Sequence, residues 1–313
     1  MHSKKILVLA GGSVKGAYQA GVVKALFDLG FEPNAIYGVS AGGMNASYLV
    51  DCFGKQKLEN EDINYQSAAE NLVNFWLENI TEPASLARRR GTYELGLSAI
   101  RRNFEGLLDT TPLKEIVENN ISIQRLRASP IALKIGAVDI INGGIVYADP
   151  SFEHFHDYIM ASSAIPIIMP VVKIGNHQKM AFLDGGLRDV APIKKAIEDG
   201  ATEIVCVACH TRKMEGGNFA YGNLLALVDR IMDIAVNESL NMDLDWAVLH
   251  TKFGPNEIAL DLPKHKVKLT IIRPEVPLNI DIQSFDTDDI SRIIELGYQR
   301  GHEYTIKKNA EKK

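Results

Sequence analysis

The strongest constraint on the fold is an alternation of short apolar runs with helical segments along nearly the whole chain. KILVLA at 5–10 precedes a helical pattern at 15–29, and AIYGVS at 35–40 precedes a helix that starts with small residues. KMAFLD, TEIVCVACH and VKLTIIRP supply later strands. Strands that alternate with helices form parallel sheets covered on both faces. The sequence therefore predicts an α/β fold in which a mainly parallel central sheet lies between two helical layers.

The length and composition indicate one domain. The 313 residues, of which 46% are hydrophobic, are enough to bury a large core, and no repeat or linker divides them. We expect a single domain over 1–313, ordered at about 5–305, with a frayed lysine-rich end at 306–313. We expect amphipathic helices at about 60–127 to cover one side of the sheet, and a hairpin to turn at Asn142 and Gly143.

The charge and hydropathy exclude some classes of protein. A formal net charge of −5 argues against nucleic acid as a partner. No apolar run approaches the ~20 residues of a membrane span, and no signal segment is recognised, which favours the cytoplasm. Arg88 to Arg90, and then Arg101 and Arg102, alternate with aromatic and aliphatic residues. This basic segment is compatible with a solvated face or with peripheral contact to a lipid surface.

Two motifs resemble metal or haem sites, but their context argues against both. CVACH at 206–210 matches the c-type haem pattern, yet it lies in a strand-like run whose period of two directs Cys206 and Cys209 to opposite faces. HFHD at 154–157 continues into a plain helical or loop segment, so we expect these histidines to be solvated. The sequence therefore predicts no metal and no cofactor.

A glycine-rich turn at Gly11, Gly12 and Gly16 follows the first strand and leads into a helix. This arrangement suits an anion at a helix N-terminus, whether a phosphate or an oxyanion. A dinucleotide fold is disfavoured, since Ser13 interrupts the glycine pattern and Glu32 lies before the second strand rather than at its end. A P-loop is excluded because Lys15 precedes the last glycine.

GVSAG at 38–42 fits the nucleophile-elbow pattern G-x-S-x-G. An apolar strand precedes it and a helix follows it, which is the context that the motif requires. Gly38 and Gly42 would flank a turn too sharp for side chains. Ser40 is therefore the predicted nucleophile.

The base that would activate Ser40 has two kinds of candidate. In the triad order of serine, acid and then histidine, the available histidines are His210, His250, His265 and His302, and His210 ends a strand. Asp184 also ends an apolar strand, where α/β sheets place their active sites, and Gly185 and Gly186 let the backbone turn after it. A carboxylate can take the proton directly if its contact with the hydroxyl is fixed and partly dehydrated.

Four motifs in register resemble the patatin-like phospholipases: GGSVKG at 11–16, GVSAG at 38–42, ASSAIPIIMP at 161–170 and DGG at 184–186. The closing FDTDDISRIIELGY is also similar to that family, so the similarity covers nearly the whole chain, with 56–100 least distinctive. The resemblance implies a patatin-like three-layer fold and a lipid acyl hydrolase of phospholipase A, lysophospholipase or carboxylesterase type, without metal or cofactor.

The resemblance also implies roles for individual residues. Ser40 would be the nucleophile and Asp184 the base, and the oxyanion hole would consist of Gly11, Gly12 and Ser13. The motif residues around them would support this geometry: Lys15, Gly16, Gly38, Gly42, Gly185 and Gly186. The chain departs from the family at two positions, where Ser13 replaces a third glycine and Lys15 replaces a frequent arginine. A positive φ at Ser13 would be strained.

Two alternative functions remain open from the sequence. One is a lipid-binding protein of the same fold with little or no catalysis, and the other is a Ser-His-Asp esterase that uses His210. The apolar positions of NLLALVDRIMDIAVNESL, which recur at helical spacing, indicate core packing or an acyl-chain pocket. These positions are Leu224, Leu227, Val228, Ile231 and Ala235.

Overall fold

The computed structural model describes residues 4–91, 105–175, 180–214, 223–253 and 266–310. The strands are β1 Lys5–Leu9, β2 Ala35–Val39, β3 Arg88–Arg89, β4 Leu108–Asp109, β5 Ala132–Asp139, β6 Ile145–Ala148, β7 Val172–Lys173, β8 Ala181–Asp184, β9 Glu203–Val207 and β10 Lys268–Ile272. The helices are α1 Gly16–Asp28, α2 Ala41–Leu58, α3 Tyr65–Asn79, α4 Pro83–Leu86, α5 Thr111–Asn120, α6 Ile123–Ala128, α7 Phe155–Ser162, α8 Ile193–Glu198, α9 Leu224–Phe253 and α10 Thr287–Ala310.

The central sheet is mixed but mostly parallel, as predicted. Its strand order is β10-β9-β1-β2-β5-β8-β7, with β6 paired to β5. The pairs from β10 to β5 are parallel, and those of β5 with β6 and β8, and of β7 with β8, are antiparallel. The predicted hairpin is β5–β6, whose turn contains Gly143 at φ +72°. Together with the two helical layers, this confirms the predicted three-layer α/β fold.

Successive residues of β1 bury their side chains in two different cores. Ile6 and Val8 join a cluster with α8 and α9, whereas Leu7 and Leu9 join the larger cluster with α1, α2 and α10. This follows from the period of two in a strand, since both faces of a parallel sheet are covered. Helices therefore flank both faces.

The first and last helices are in direct backbone contact. A Cβ on Gly21 of α1 would lie 1.9 Å from the carbonyl oxygen of Ile294, and one on Gly297 of α10 would lie 2.1 Å from that of Tyr18. Only glycine permits this approach, so α10 packs on α1 without side chains between them. The helix runs to Ala310, and 311–313 of the predicted frayed end lie outside the described residues.

The segment at 60–127 is less uniform than the sequence predicts. It contains α3 to α6, but also β3 and β4, which form a two-stranded antiparallel ribbon. Helix α3 packs on α1 and α2, so it forms an outer layer on that side of the sheet. Arg101 and Arg102 of the predicted basic segment lie outside the described residues.

Strands β2 and β8 meet end to end along one side of β5. Strand β6 pairs with β5 at Gly136 and Ala137. The same two residues of β5 also pair with Val39 of β2 and Asp184 of β8. Because β6 occupies one side of β5 there, β2 and β8 must both lie on the other side. Strand β8 runs against β5 and β2 runs with it, which brings their C-terminal ends together. The sheet therefore places the residues that end β2 and β8 next to each other.

Candidate active site

Ser40 lies on a strained turn between β2 and α2. Its φ of +56° and ψ of −130° are unfavourable for a residue with a side chain. A Cβ on Gly38 would lie 2.2 Å from the carbonyl oxygen of Gly42, and one on Gly42 would lie 2.1 Å from that of Leu9. Both positions therefore require glycine because backbone passes close to them. The turn exposes the hydroxyl of Ser40 to a cavity.

A second serine holds the backbone of this turn. The N–H of Ser40 donates a hydrogen bond of 2.9 Å to Oγ of Ser162, a fully buried residue at the end of α7. A buried N–H without an acceptor costs about 1–3 kcal/mol, so Ser162 stabilises the strained turn. Sequence reasoning gave Ser162 no role, although it lies in the ASSAIPIIMP motif.

Asp184 accepts a hydrogen bond of 2.8 Å from the N–H of Gly186, and its carboxyl interacts with the hydroxyl of Ser40. Its side chain is buried at the point where β8 meets β2. Burial raises the pKa of Asp184 to about 6, and the interactions with Ser40 and Gly186 only partly offset that rise. The structure thus brings together the two residues that the sequence predicted as nucleophile and base.

The glycine-rich loop lies beside Ser40, and its N–H groups differ in their partners. The N–H of Gly11 donates to the carbonyl of Val190 at 2.9 Å, so in this arrangement it is not free to donate to an oxyanion. Gly12 and Ser13 line the cavity, and their N–H groups have no acceptor among the described residues. Ser13 has a φ of +51°, the strained conformation anticipated from its replacement of glycine.

A cavity of about 590 Å³ opens over Ser40 and Asp184. Its apolar lining includes Ile165, Val190 and Ile282, and its polar lining includes Lys15, His210 and Asp233. This size is within the range of small-molecule sites, roughly 300–1,000 Å³. The cavity can accommodate an apolar chain and a polar group together.

Lys15 connects the glycine-rich loop to α9. Its ammonium donates to Oδ1 of Asp233 at 2.6 Å and lies 3.1 Å from Nε2 of His210, which is itself 2.9 Å from the same oxygen. Burial lowers the pKa of His210 below its ordinary value, the hydrogen bond with Asp233 acts to raise it, and the Lys15 charge lowers it further. Burial alone would raise the pKa of Asp233, but His210 and Lys15 lower it well below its usual range.

This network engages His210 with partners other than Ser40. Nε2 of His210 contacts Lys15 and Asp233, and its Nδ1 is buried without a partner in the described part of the chain. The hydroxyl of Ser40 instead interacts with Asp184. The geometry therefore gives no support to a triad through His210.

Two acidic residues of α9 were not singled out by sequence reasoning. Asp229 and Asp233 both line the cavity, one helical turn apart. Burial and the neighbouring Asp233 charge raise the pKa of Asp229 to about 6. A pair of carboxylates at i and i+4 shares one face of a helix, which is a signal that sequence reasoning could have used.

The apolar positions of α9 mostly face solvent, contrary to the core or pocket interpretation. Leu224, Leu227 and Ile231 are exposed, whereas Val228 is buried. Over its first turns the helix directs Ala226, Asp229 and Asp233 toward the cavity, whereas its later residues Leu240, Leu244 and Ala247 pack in the core.

The described residues contain no group of three histidine, cysteine, aspartate or glutamate side chains arranged for a metal ion. Cys206 packs in the core beneath α8 and α9, while Cys209 lies against Gly12. His156 of the HFHD motif hydrogen-bonds with the carbonyl of Ile121 at 2.7 Å. In the same parts of the chain, no helix combines the length and apolarity needed to cross a membrane.

Comparisons with solved structures give distant similarities. VipD from Legionella pneumophila has 13% sequence identity and a TM-score of 0.44, with 97% of this chain and 66% of that chain covered. In the ExoU-SpcU complex from the type III secretion system of Pseudomonas aeruginosa, one chain has 14% identity and a TM-score of 0.36, with 97% and 51% covered. The chain thus spans about one half to two thirds of the length of these proteins.

Comparison with families gives a more direct result. No curated protein matches the chain significantly. A family model described as "Patatin-like phospholipase" matches residues 7–197, which include the glycine-rich loop, the strained turn at Ser40 and Asp184. That match covers more than half of the sequence, and the mostly parallel sheet described above agrees with it. The chain belongs to the patatin-like phospholipase family.

Proposed function

We propose that the protein hydrolyses carboxylic esters of lipids through an acyl-enzyme on Ser40. The observation that carries this proposal is the placement of the Ser40 hydroxyl beside a desolvated Asp184, with which it interacts, in the lining of one cavity. A serine hydroxyl is a weak nucleophile until a positioned base takes its proton. A carboxylate with a pKa of about 6 is mostly ionised at neutral pH and is a better base than an ordinary aspartate.

The reaction has two half-reactions. In the first, Oγ of Ser40 attacks the ester carbonyl carbon while its proton moves to Asp184, and collapse of the tetrahedral intermediate expels the alcohol, which takes the proton from Asp184. In the second, a water molecule attacks the acyl-Ser40 ester and gives a proton to Asp184. Ser40 then leaves with that proton, and the carboxylic acid is released.

Gly12 and Ser13 are the proposed donors to the oxyanion. Their N–H groups lack acceptors within the described residues and border the same cavity as Ser40. Gly11 supports them through its bond to Val190, which fixes the loop. The loss of one oxyanion donor typically slows turnover by about 10²–10³.

The lining of the cavity is the basis for the proposed substrate. Apolar side chains such as Ile165 and Ile282 suit an acyl chain, and the charged network around Lys15 and Asp233 suits a polar head group. A phospholipid or a lysophospholipid has both parts. A lipid-binding protein without catalysis is the second candidate, and the strained φ of Ser13 in the proposed oxyanion loop is the observation that favours it.

Covalent labelling separates these candidates. Wild-type protein incubated with a fluorophosphonate should gain the mass of one adduct by intact mass spectrometry, and Ser40→Ala and Asp184→Asn should gain none. His210→Ala should still be labelled, because His210 is bonded to Lys15 and Asp233 rather than to Ser40. An unlabelled wild-type protein would support binding without hydrolysis, and a His210→Ala protein that is not labelled would restore the triad interpretation.

A further inference from the structure

Several exposed apolar residues line the cavity or directly follow residues that line it, and we call five of them the rim: Ile167, Leu187, Leu224, Leu227 and Ile231. Each is between 36% and 57% exposed. Leu187 lines the cavity, and each of the other four directly follows a residue that lines it. Exposed large side chains scattered singly are normal in proteins, but a group around one opening indicates an interaction site.

Ile167 is held in this exposed position against a conformational cost. Its φ is +69°, a conformation that is rare for a β-branched residue. The backbone carbonyl groups of Ile167 and Ile168 accept hydrogen bonds from the N–H groups of Leu107 and Leu108, at 3.2 and 2.9 Å. The ribbon of β3 and β4 thus fixes a strained backbone that directs an apolar side chain to solvent. Strain of this kind persists where function requires it.

Arginine side chains border the rim. Arg89 of β3 donates a hydrogen bond of 2.9 Å to Gln283, which lines the cavity and also accepts from Asn223 at 3.2 Å. Arg88 is exposed on the same strand, and Arg188 is exposed directly after Leu187. Exposed cations beside exposed apolar side chains match the chemistry of a bilayer that contains anionic lipids.

We propose that the rim and the arginines beside it dock the protein on the surface of an anionic lipid bilayer, with the cavity mouth against the membrane. The inference rests on the proposed function, since it supplies the route by which a lipid substrate reaches Ser40. An acyl chain that leaves the bilayer through a mouth lined with apolar residues avoids contact with water, which removes a large cost of transfer. The test below must distinguish a lipid bilayer from a protein partner as the occupant of this surface.

The test is flotation of the Ser40→Ala protein with vesicles, so that no lipid is hydrolysed. Vesicles of phosphatidylcholine with added phosphatidylglycerol should bind the protein more strongly than phosphatidylcholine alone. The rim pair Leu224→Ser/Leu227→Ser should weaken binding to both kinds of vesicle by at least about tenfold. The basic pair Arg88→Ser/Arg89→Ser should weaken binding to the anionic vesicles alone, by about fivefold per arginine.

A matched control uses two other exposed leucines, Leu29 and Leu58, which lie at the ends of α1 and α2 away from the glycine-rich loop and Ser40. Leu29→Ser/Leu58→Ser should bind both kinds of vesicle like the parent protein. Equal binding by the rim and control variants would overturn the proposal. So would a parent protein that binds no vesicle, a result that would direct attention to a protein partner.

Hydrolysis of a soluble short-chain ester separates a failure of this inference from a failure of the proposed function. The Leu224→Ser/Leu227→Ser variant that retains Ser40 should hydrolyse p-nitrophenyl butyrate at the wild-type rate, because neither leucine lines the cavity at Ser40 and Asp184. If the rim substitutions leave vesicle binding unchanged and ester hydrolysis is normal, only the docking surface is rejected. Absence of ester hydrolysis in the wild type would reject the proposed function itself.

Discussion

The carboxyl of Asp184 interacts with the hydroxyl of Ser40, and no other side chain among the described residues hydrogen-bonds to it. In the proposed reaction, Asp184 therefore takes the proton without a histidine between it and Ser40. The pKa of Asp184 then depends on burial, which raises it, and on the interactions with Ser40 and Gly186, which lower it.

The pH dependence of turnover should report Asp184. Because the pKa of its carboxyl is about 6, kcat/KM for a soluble ester should be half-maximal near that pH. It should fall about tenfold for each further unit of acidification, since only the ionised carboxylate accepts the proton. The measurement is a pH-rate profile of wild type and His210→Ala. A profile displaced by His210→Ala would contradict Asp184 as the base.

Asp184→Asn should stabilise the protein at neutral pH. The pKa of this carboxyl is about 6 in the folded state, above its ordinary value, so ionisation opposes folding and stability falls as the pH rises from about 4 to 6. A rise of about two units corresponds to roughly 3 kcal/mol. Thermal unfolding should show a Tm several degrees above wild type near about pH 8 and a much smaller difference near about pH 4.5.

Asp199 is the matched control for that experiment, because its pKa is shifted in the opposite direction. Burial acts to raise it, but hydrogen bonds from Lys134, Lys195 and Tyr37 lower the pKa of Asp199 to about 2. Its stabilising effect is present above the unfolded pKa and is lost as the pH falls through the folded value. Asp199→Asn should therefore lower the Tm at neutral pH, and a rise would refute this sign.

Ser13→Gly should stabilise the glycine-rich loop without loss of turnover. Ser13 has a φ of +51°, where glycine is not penalised, so the substitution should add about 0.5–1 kcal/mol to the free energy of unfolding. The proposed N–H donor is retained. Thermal unfolding and ester hydrolysis of the variant measure the two effects.

Ser163→Gly provides the comparison for Ser13→Gly. Ser163 has an ordinary φ of −99°, so glycine there should lower stability by about 0.5–1 kcal/mol. If both serine-to-glycine variants were destabilised alike, strain at Ser13 would not be the reason for the effect.

Lys15→Met should destabilise the connection between the loop and α9. The ammonium lies 2.6 Å from Oδ1 of Asp233, with both side chains largely buried, so its removal should cost about 1–3 kcal/mol. Lys15→Met/Asp233→Asn should cost less than the sum of the two single changes. The measurement is denaturant unfolding of the three variants.

The exposed pair Lys114–Glu118, at 3.7 Å on α5, provides the control for the more buried pair. Lys114→Met should cost less than about 0.5 kcal/mol because surface pairs of this kind are weak. Equal losses for Lys15→Met and Lys114→Met would show that burial of the Lys15–Asp233 pair adds nothing to its strength.

Features that depend on local sequence were predictable. The glycines around Ser40 are required by backbone contacts within a few residues or with β1, and the resulting motif is visible in the sequence. The alternation of strands and helices likewise predicted a mostly parallel sheet, because burial on both faces leaves continuous apolar runs. The strain at Ser13 followed from its replacement of a glycine in a turn.

Features that depend on pairing between distant strands were not predictable. The sequence placed Asp184 at the C-terminal edge of parallel strands, whereas it reaches Ser40 because an antiparallel β8 meets β2 end to end along β5. Gly11 was expected to donate to an oxyanion. Its bond to Val190, 179 residues away, could not be predicted because no local sequence pattern indicates it. Asp233 and Ser162 act through partners on other elements, and the exposure of α9 depends on which of its faces meets the cavity.

The direct contact between α1 and α10 has a practical consequence for anyone preparing a shorter protein. The family match ends at residue 197, before β9, β10 and α10. A fragment cut at that boundary would turn β1 into an unprotected edge, since β9 is its neighbour on one side, and would leave the groove at Gly21 open to water. The strand and helix on either side of the glycine-rich loop would thus lose their outer supports together, so the part of the chain that positions Ser40 and Asp184 depends on the last third for its shape.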